Sequence, residues 1–195
     1  MPETRTFVAV ALPPAAVRAL EDLMARLRRL PEGQVCRWSA PETIHMTLRF
    51  LGDVPDARLP AVYAAVDRAA AGAAPFAFEI RGLGCFPNPR RPNIVWAGLE
   101  DPAGRLAPLA AGIDRALGAE GFPRETRPYR PHLTIGRVRR GAHPAEAAAL
   151  GAVVAGWPDE ALAEVAVETV TVFGSRLTPA GPVHTPLHAS PLAGA

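Results

Sequence analysis

Two short segments of this chain carry the residue types that proton-transfer chemistry needs. In Ile44-His45-Met46-Thr47-Leu48-Arg49-Phe50, polar and apolar residues alternate. In an extended strand that alternation puts His45, Thr47 and Arg49 on one face and Ile44, Met46, Leu48 and Phe50 on the other. The second segment, Arg130-Pro131-His132-Leu133-Thr134-Ile135-Gly136, repeats the pattern. Here Arg130, His132 and Thr134 share a face opposite Leu133 and Ile135, and Gly136 continues the polar face without a side chain, leaving room for a ligand. Successive residues on one face stand about 7 Å apart. One histidine on a strand is ordinarily a core or surface residue. Two imidazoles facing each other across a cleft are what metal-free phosphodiester hydrolysis needs. One takes a proton from the nucleophile, the other gives one to the leaving oxygen, and both titrate near neutrality. Threonine hydroxyls can donate to non-bridging phosphate oxygens, and arginine can offset their charge.

The elements around these segments repeat as well. Arg5 to Leu12 alternates as a strand, and Pro14 opens an amphipathic helix with Val17, Leu20, Leu23, Leu27 and Leu30 at helical spacing, stopped by Pro31-Glu32-Gly33. Strands at Gln34–Trp38 and Thr43–Leu51, a helix at about 58–71 and a strand at Phe76–Phe86 follow. Then the order begins again. A strand at Asn93–Leu99, a helix at about 104–119, a strand around His132 and a helix at about 144–154 lead to a strand at Val165–Phe173, with a short last strand at Val183–Leu187. The run from Phe7 resembles the run from Ile94, and the segment around His45 resembles that around His132, each displaced by 87 positions. A third match, Glu79 with Glu168, is displaced by 89. Near-constant displacement indicates an internal duplication, and a pseudo-twofold relation would bring the two histidine strands to one cleft.

Composition bounds the rest. The chain has 195 residues, 49% hydrophobic and 21% charged, which describes a globular chain able to bury a core. No apolar run reaches the roughly 18 residues a membrane helix needs. Phe7 to Val17 is apolar enough for a signal-peptide core, but Pro13-Pro14 and the weak positive region before it favour a strand and a proline-started helix. With only Cys36 and Cys85, no disulfide framework is expected, and the expected location is cytoplasmic. The net charge is +2, and every fixed positive side chain is arginine, since lysine is absent. Between Arg124 and Arg140 six arginines face a single acid, Glu125, a balance suited to an RNA backbone. Among them Arg130 shares the face of His132, Arg137 has the opposite parity, and Arg139 and Arg140 read as a solvated face. His143, His184 and His188 read as surface or terminal residues. Trp38, Phe50 and Trp96 could stack on a base, though strand aromatics more often belong to the core. No cluster supplies further zinc ligands beside His45 and His132, and neither a phosphate-binding glycine loop nor a GxSxG elbow is present.

With two copies of His-x-Thr-x, His45-Met46-Thr47-Leu48 and His132-Leu133-Thr134-Ile135, the chain resembles the two-histidine phosphoesterase superfamily. Within it the resemblance is to the RNA 2′,3′-cyclic phosphodiesterases historically called 2′-5′ RNA ligases. It extends over nearly the whole chain, through Arg5-Thr6-Phe7-Val8-Ala9, Trp38, Phe50-Leu51-Gly52, Phe86-Pro87-Asn88-Pro89-Arg90, Phe173-Gly174-Ser175-Arg176-Leu177 and Gly181-Pro182. The resemblance implies an α+β fold, bilobal and internally duplicated, with antiparallel sheets lining a central cleft and helices outside. It implies one two-lobed domain over residues 1–195, with pseudo-repeats at about 5–92 and 93–188. It further implies that His45 is the proton donor and His132 the acceptor, with Thr47 and Thr134 holding the phosphate; Arg130 joins them on the strand-face reading. At position 184 the family leads one to expect tyrosine, and histidine there bears on local packing. The expected substrate is RNA ending in a 2′,3′-cyclic phosphate, such as tRNA fragments, or small cyclic nucleotides, hydrolysed without metal or cofactor. No membrane or protein partner is expected. The alternatives are another cyclic phosphate as substrate, 2′-5′ RNA ligation, or an RNA-end-binding module without turnover.

Overall fold

The chain runs β1 (Glu3–Ala11), α1 (Pro14–Arg29), β2 (Cys36–Trp38), β3 (His45–Pro55), α2 (Leu59–Ala71), β4 (Phe76–Phe86), β5 (Ile94–Glu100), α3 (Leu106–Ala119), β6 (Leu133–Val138), α4 (Pro144–Ala155), β7 (Ala161–Val167), β8 (Thr169–Thr178) and β9 (Gly181–Pro191). The structure is a computed structural model and describes residues 2–179 and 181–194. β1 is buried on both faces from Thr6 to Val10, so it needs a neighbour at each edge and cover above and below. It lies inside an antiparallel sheet of order β3-β1-β8-β9. The second antiparallel sheet has order β2-β6-β5-β4-β7.

The helices cover the outer faces. α1 starts at Pro14, where a missing N–H costs nothing. It buries Leu20, Leu23, Met24 and Leu27, each contributing roughly 1.5–3 kcal/mol of transfer free energy, and packs against β7 of the second sheet. α4 packs against β4 of the same sheet, while α2 and α3 lie together over β3, β8 and β9 of the first. This is the bilobal α+β architecture with two antiparallel sheets that the sequence implied.

The lobes, however, are not the two halves of the sequence. β4 belongs to the first half but pairs with β5, and β8 belongs to the second half but pairs with β1. Phe86 faces Ile94 across one pair and Phe173 faces Phe7 across the other, so the equivalent phenylalanines are 87 positions apart. The match of Glu79 with Glu168 is thus two residues out of register.

The expected strand Val165–Phe173 is two strands that break at Glu168 and enter different sheets. Its buried valines show the change of phase, at 165 and 167 before the break and at 170 and 172 after it. The strand expected at Gln34–Trp38 is only Cys36–Trp38, because Pro31–Val35 closes a 3-10 turn. β9 runs well past Leu187, to Pro191.

Candidate active site

β3 is an edge strand, and β2 covers only Gly136–Val138 of β6, which leaves the start of β6 free to meet β3. The link between β2 and β3 therefore joins the two sheets at this corner. In it Ser39 donates from Oγ to the Thr134 carbonyl at 3.3 Å, and its N–H donates to Ile135 at 2.9 Å. From the other side Tyr129 donates its hydroxyl to the Thr47 carbonyl at 3.4 Å.

A cleft of about 940 Å³ opens here, with His45 and Thr47 on its wall. His132 stands just ahead of β6, with Thr134 on the strand. The two imidazoles are held alike. His45 Nδ1 lies 2.9 Å from the carbonyl of Thr43, and His132 Nδ1 lies 2.7 Å from the carbonyl of Arg130. A carbonyl can only accept, so each Nδ1 carries the hydrogen and each Nε2 is left for chemistry. An aromatic ring supports each: Phe7 stacks on His45 at 4.4 Å, and Phe86 meets His132 edge-on at 4.9 Å. Burial pushes the His45 imidazole down to about 4, with nearby His184 acting in the same direction and the Thr43 bond opposing.

Simple alternation fails just beyond each threonine, at a β-bulge. Thr47 pairs with Ala9 but Arg49 with Val8, so Leu48 is the extra residue. Arg49 is thereby turned to the helix side, where its Nε lies 3.0 Å from Asp114. It does not share the face of His45. Phe50, read with the core, instead faces the cleft with Arg5 over its ring at 4.7 Å. Ile135 is the corresponding extra residue in β6, since Thr134 pairs with Trp96 but Gly136 with Val95. This brings Arg137, expected on the wrong parity, onto the face of Thr134 and into the cleft.

The space at Gly136 serves packing rather than a ligand. A Cβ there would lie 2.6 Å from Cys36 Sγ and 3.1 Å from Trp38. Gly136→Ala is therefore expected to destabilise the fold by about 1–3 kcal/mol, the usual range for overpacking. A thermal melt checks it; an unchanged midpoint would mean β2 yields freely.

The arginine cluster divides. Arg124 and Arg127 are paired with Asp114 and Glu125, and Arg139 and Arg140 line a separate hollow with Glu32 and Glu146. Arg130 is exposed beside His132, to which its carbonyl is bonded. The cleft itself takes Arg5, Arg28, Arg37 and Arg137. Arg37 and Arg137 are direct cross-strand partners, an arrangement that costs stability unless an anion sits between them.

A LigT like phosphoesterase family model matches residues 10–96 and again 98–184. The chain belongs to that family. Among similar proteins, an RNA 2′,3′-cyclic phosphodiesterase of Methanothermobacter thermautotrophicus is 34% identical over 186 residues, 94% of this chain and 96% of that one. Another, of Thermus thermophilus, is 34% identical over 97% of this chain and 91% of its own length. A crystal structure of a Thermus thermophilus protein superposes with a TM-score of 0.78 at 30% identity, covering 97% of this chain and 98% of that one. Escherichia coli LigT in its apo form shares the fold, with a TM-score of 0.75 at 22% identity over 98% of both chains.

Other sequence readings sort themselves within this LigT-like frame. His143 caps α4 through a reciprocal bond pattern with Glu146, and His188 bonds Asp67 at 2.8 Å, so both are structural. His184 is not a surface residue: it lines the cleft beside His45. Burial raises the thiols of Cys36 and Cys85 to about 12 and 11, which keeps them inert as nucleophiles. Sequence reasoning missed Arg5, Arg28 and Arg37. Only Arg5 carries a signal, standing two residues before Phe7 on one strand face.

Proposed function

We propose that this protein hydrolyses 2′,3′-cyclic phosphate ends of RNA to 2′-phosphomonoesters by metal-independent acid–base catalysis. The observation that carries the reading is the pair of imidazoles, each anchored through Nδ1 to the carbonyl two residues earlier, with Nε2 free. His132 takes a proton from water as its oxygen bonds to phosphorus. The bond from phosphorus to O3′ breaks, and His45 gives its proton to the departing O3′, so one water is consumed and a 2′-phosphate and a 3′-hydroxyl result. Thr47 and Thr134 donate hydroxyls to the non-bridging oxygens, and Arg137 and Arg130 offset their charge. The family supports this reading, as do the relatives that bear the name RNA 2′,3′-cyclic phosphodiesterase.

Two further features favour an RNA end over a bare cyclic phosphate. The large hydrophobic side chains most exposed among the described residues, Phe50, Leu177 and Val183, all line this cleft and suit a base or ribose. The arginines alongside suit the phosphates that precede the terminus. No helix among the described residues is long and apolar enough to cross a membrane. Among the described residues, no three His, Cys, Asp or Glu side chains converge as a metal site.

An RNA oligonucleotide ending in a 2′,3′-cyclic phosphate, incubated with the protein in EDTA, should yield a 2′-phosphate end. Absence of turnover would leave an RNA-end-binding module, and loss of turnover to EDTA would refute the metal-free mechanism. In the same assay the oligonucleotide KM should rise with salt far more steeply than that of a cyclic mononucleotide. Equal salt slopes would restrict the arginines to the terminal phosphate.

A further inference from the structure

His184 lies on β9 opposite Ser175 of β8 and lines the cleft. Its ring stands perpendicular to that of His45, with centroids 5.1 Å apart, and meets Phe7 edge-on at 5.0 Å. Its Nδ1 is buried and has no hydrogen-bond partner among the described residues. Nε2 is therefore the polar atom left to this cleft-lining ring for a partner. His45, on the same cleft wall, has Nδ1 tied to Thr43 and Nε2 without a hydrogen-bond partner among the described residues.

We propose that His184 is a phosphate-binding imidazole, donating its Nε2–H to a non-bridging oxygen of the phosphoryl group beside His45. The choice of tautomer follows from the surroundings. Hydrogen on Nδ1 would place a donor where no acceptor exists and aim the Nε2 lone pair at an anion. Hydrogen on Nε2 aims a donor at that anion and leaves only an unused lone pair inside. Burial also holds the ring below its ordinary imidazole value, so the donor at neutral pH is an uncharged N–H. A residue present only for packing against Phe7 and His45 would not need a nitrogen in this position. The contact is to the phosphoryl group alone, and it rests on the phosphodiesterase reading only for the identity of the anion.

The test compares His184→Phe, which keeps a ring of similar shape without the donor, with His184→Gln, which restores an N–H. Binding of 2′-AMP and of inorganic phosphate would be followed by calorimetry, beside kcat and KM for the cyclic-ended oligonucleotide. His184→Phe should weaken both 2′-AMP and phosphate by about tenfold or more, the range for a hydrogen bond to a charged group. KM should rise by a similar factor with kcat changed much less, and His184→Gln should recover most of the loss. Phosphate binding by His184→Phe within twofold of the parent would overturn the proposal. So would a correctly folded His184→Gln as weak as the phenylalanine variant. Should the parent bind phosphate in this His184-dependent way yet fail to open cyclic ends, the contact stands and the catalytic reading falls.

Discussion

Alanine in place of either His45 or His132 is expected to lower kcat on a cyclic phosphate end by at least about 10²-fold, the lower end for loss of a general acid or base. In-line attack on phosphorus puts the entering water and the departing O3′ on opposite sides, so one imidazole cannot serve both. Because the two act in one transition state, the double variant should be only slightly worse than either single one. Thr47→Ala and Thr134→Ala each remove one hydrogen bond to the phosphate and should cost less. The product end should be a 2′-phosphate in every case. A 3′-phosphate would reverse the substrate in the cleft, and near-full turnover by His45→Ala would end the two-histidine mechanism for this chain.

A shift in the titration of His45 on ligand binding is the second large effect expected. In the free protein its imidazole, stacked on Phe7 and half-buried, protonates only near pH 4. It is therefore neutral when substrate arrives, although its proposed role is to give a proton. A phosphate beside Nε2 favours the charged ring and must raise that value. Each unit of rise corresponds to about 1.4 kcal/mol of coupling between proton and anion, a factor of ten in affinity. The sign in the free protein is opposite. Folding holds the value below that of the unfolded chain, so stability from this group is full above about pH 6.5 and is lost as pH falls toward 4. NMR of the His45 ring, free and saturated with 2′-AMP, should show the midpoint move up by at least about two units. An unmoved midpoint would take the donor role from His45.

What can be read from the sequence ends at particular residues. His45 and Thr47 obey simple alternation because no irregularity lies between them, and Leu133 and Thr134 do so at the start of β6, with His132 just ahead of that strand. One residue later each strand bulges, at Leu48 and at Ile135, and every assignment beyond is inverted. Alternation misplaces Arg49, Phe50, Gly136 and Arg137 for that single reason. The bulges are set by pairing with β1 and β5, and nothing in the bulged strands themselves marks them. Arg28, Arg37 and His184 are hidden differently, since helix α1 and the edges β2 and β9 meet the site only through tertiary packing. The break at Glu168 is legible, in the shifted phase of the valines around it.

The exchange of β4 and β8 between sheets limits how this enzyme can move. The chain passes between lobes from β1 to α1, from β2 to β3, from α2 to β4, from β5 to α3, from α3 to β6 and from β7 to β8. A clamshell that closes on its ligand needs few such passages, placed together so that they bend as one hinge. Here they are spread around the molecule, and each strand exchanged is hydrogen-bonded along its length to the other half's sheet. Rotation of one lobe against the other would leave those ladders whole, since each lies within one sheet, but would have to bend all of these separate passages at once. The gap between the lobes should accordingly keep much the same width when a ligand enters. Under the proposed mechanism selectivity would then rest on the standing positions of imidazoles, hydroxyls and guanidinium groups, with little reorganisation left to the moment of reaction.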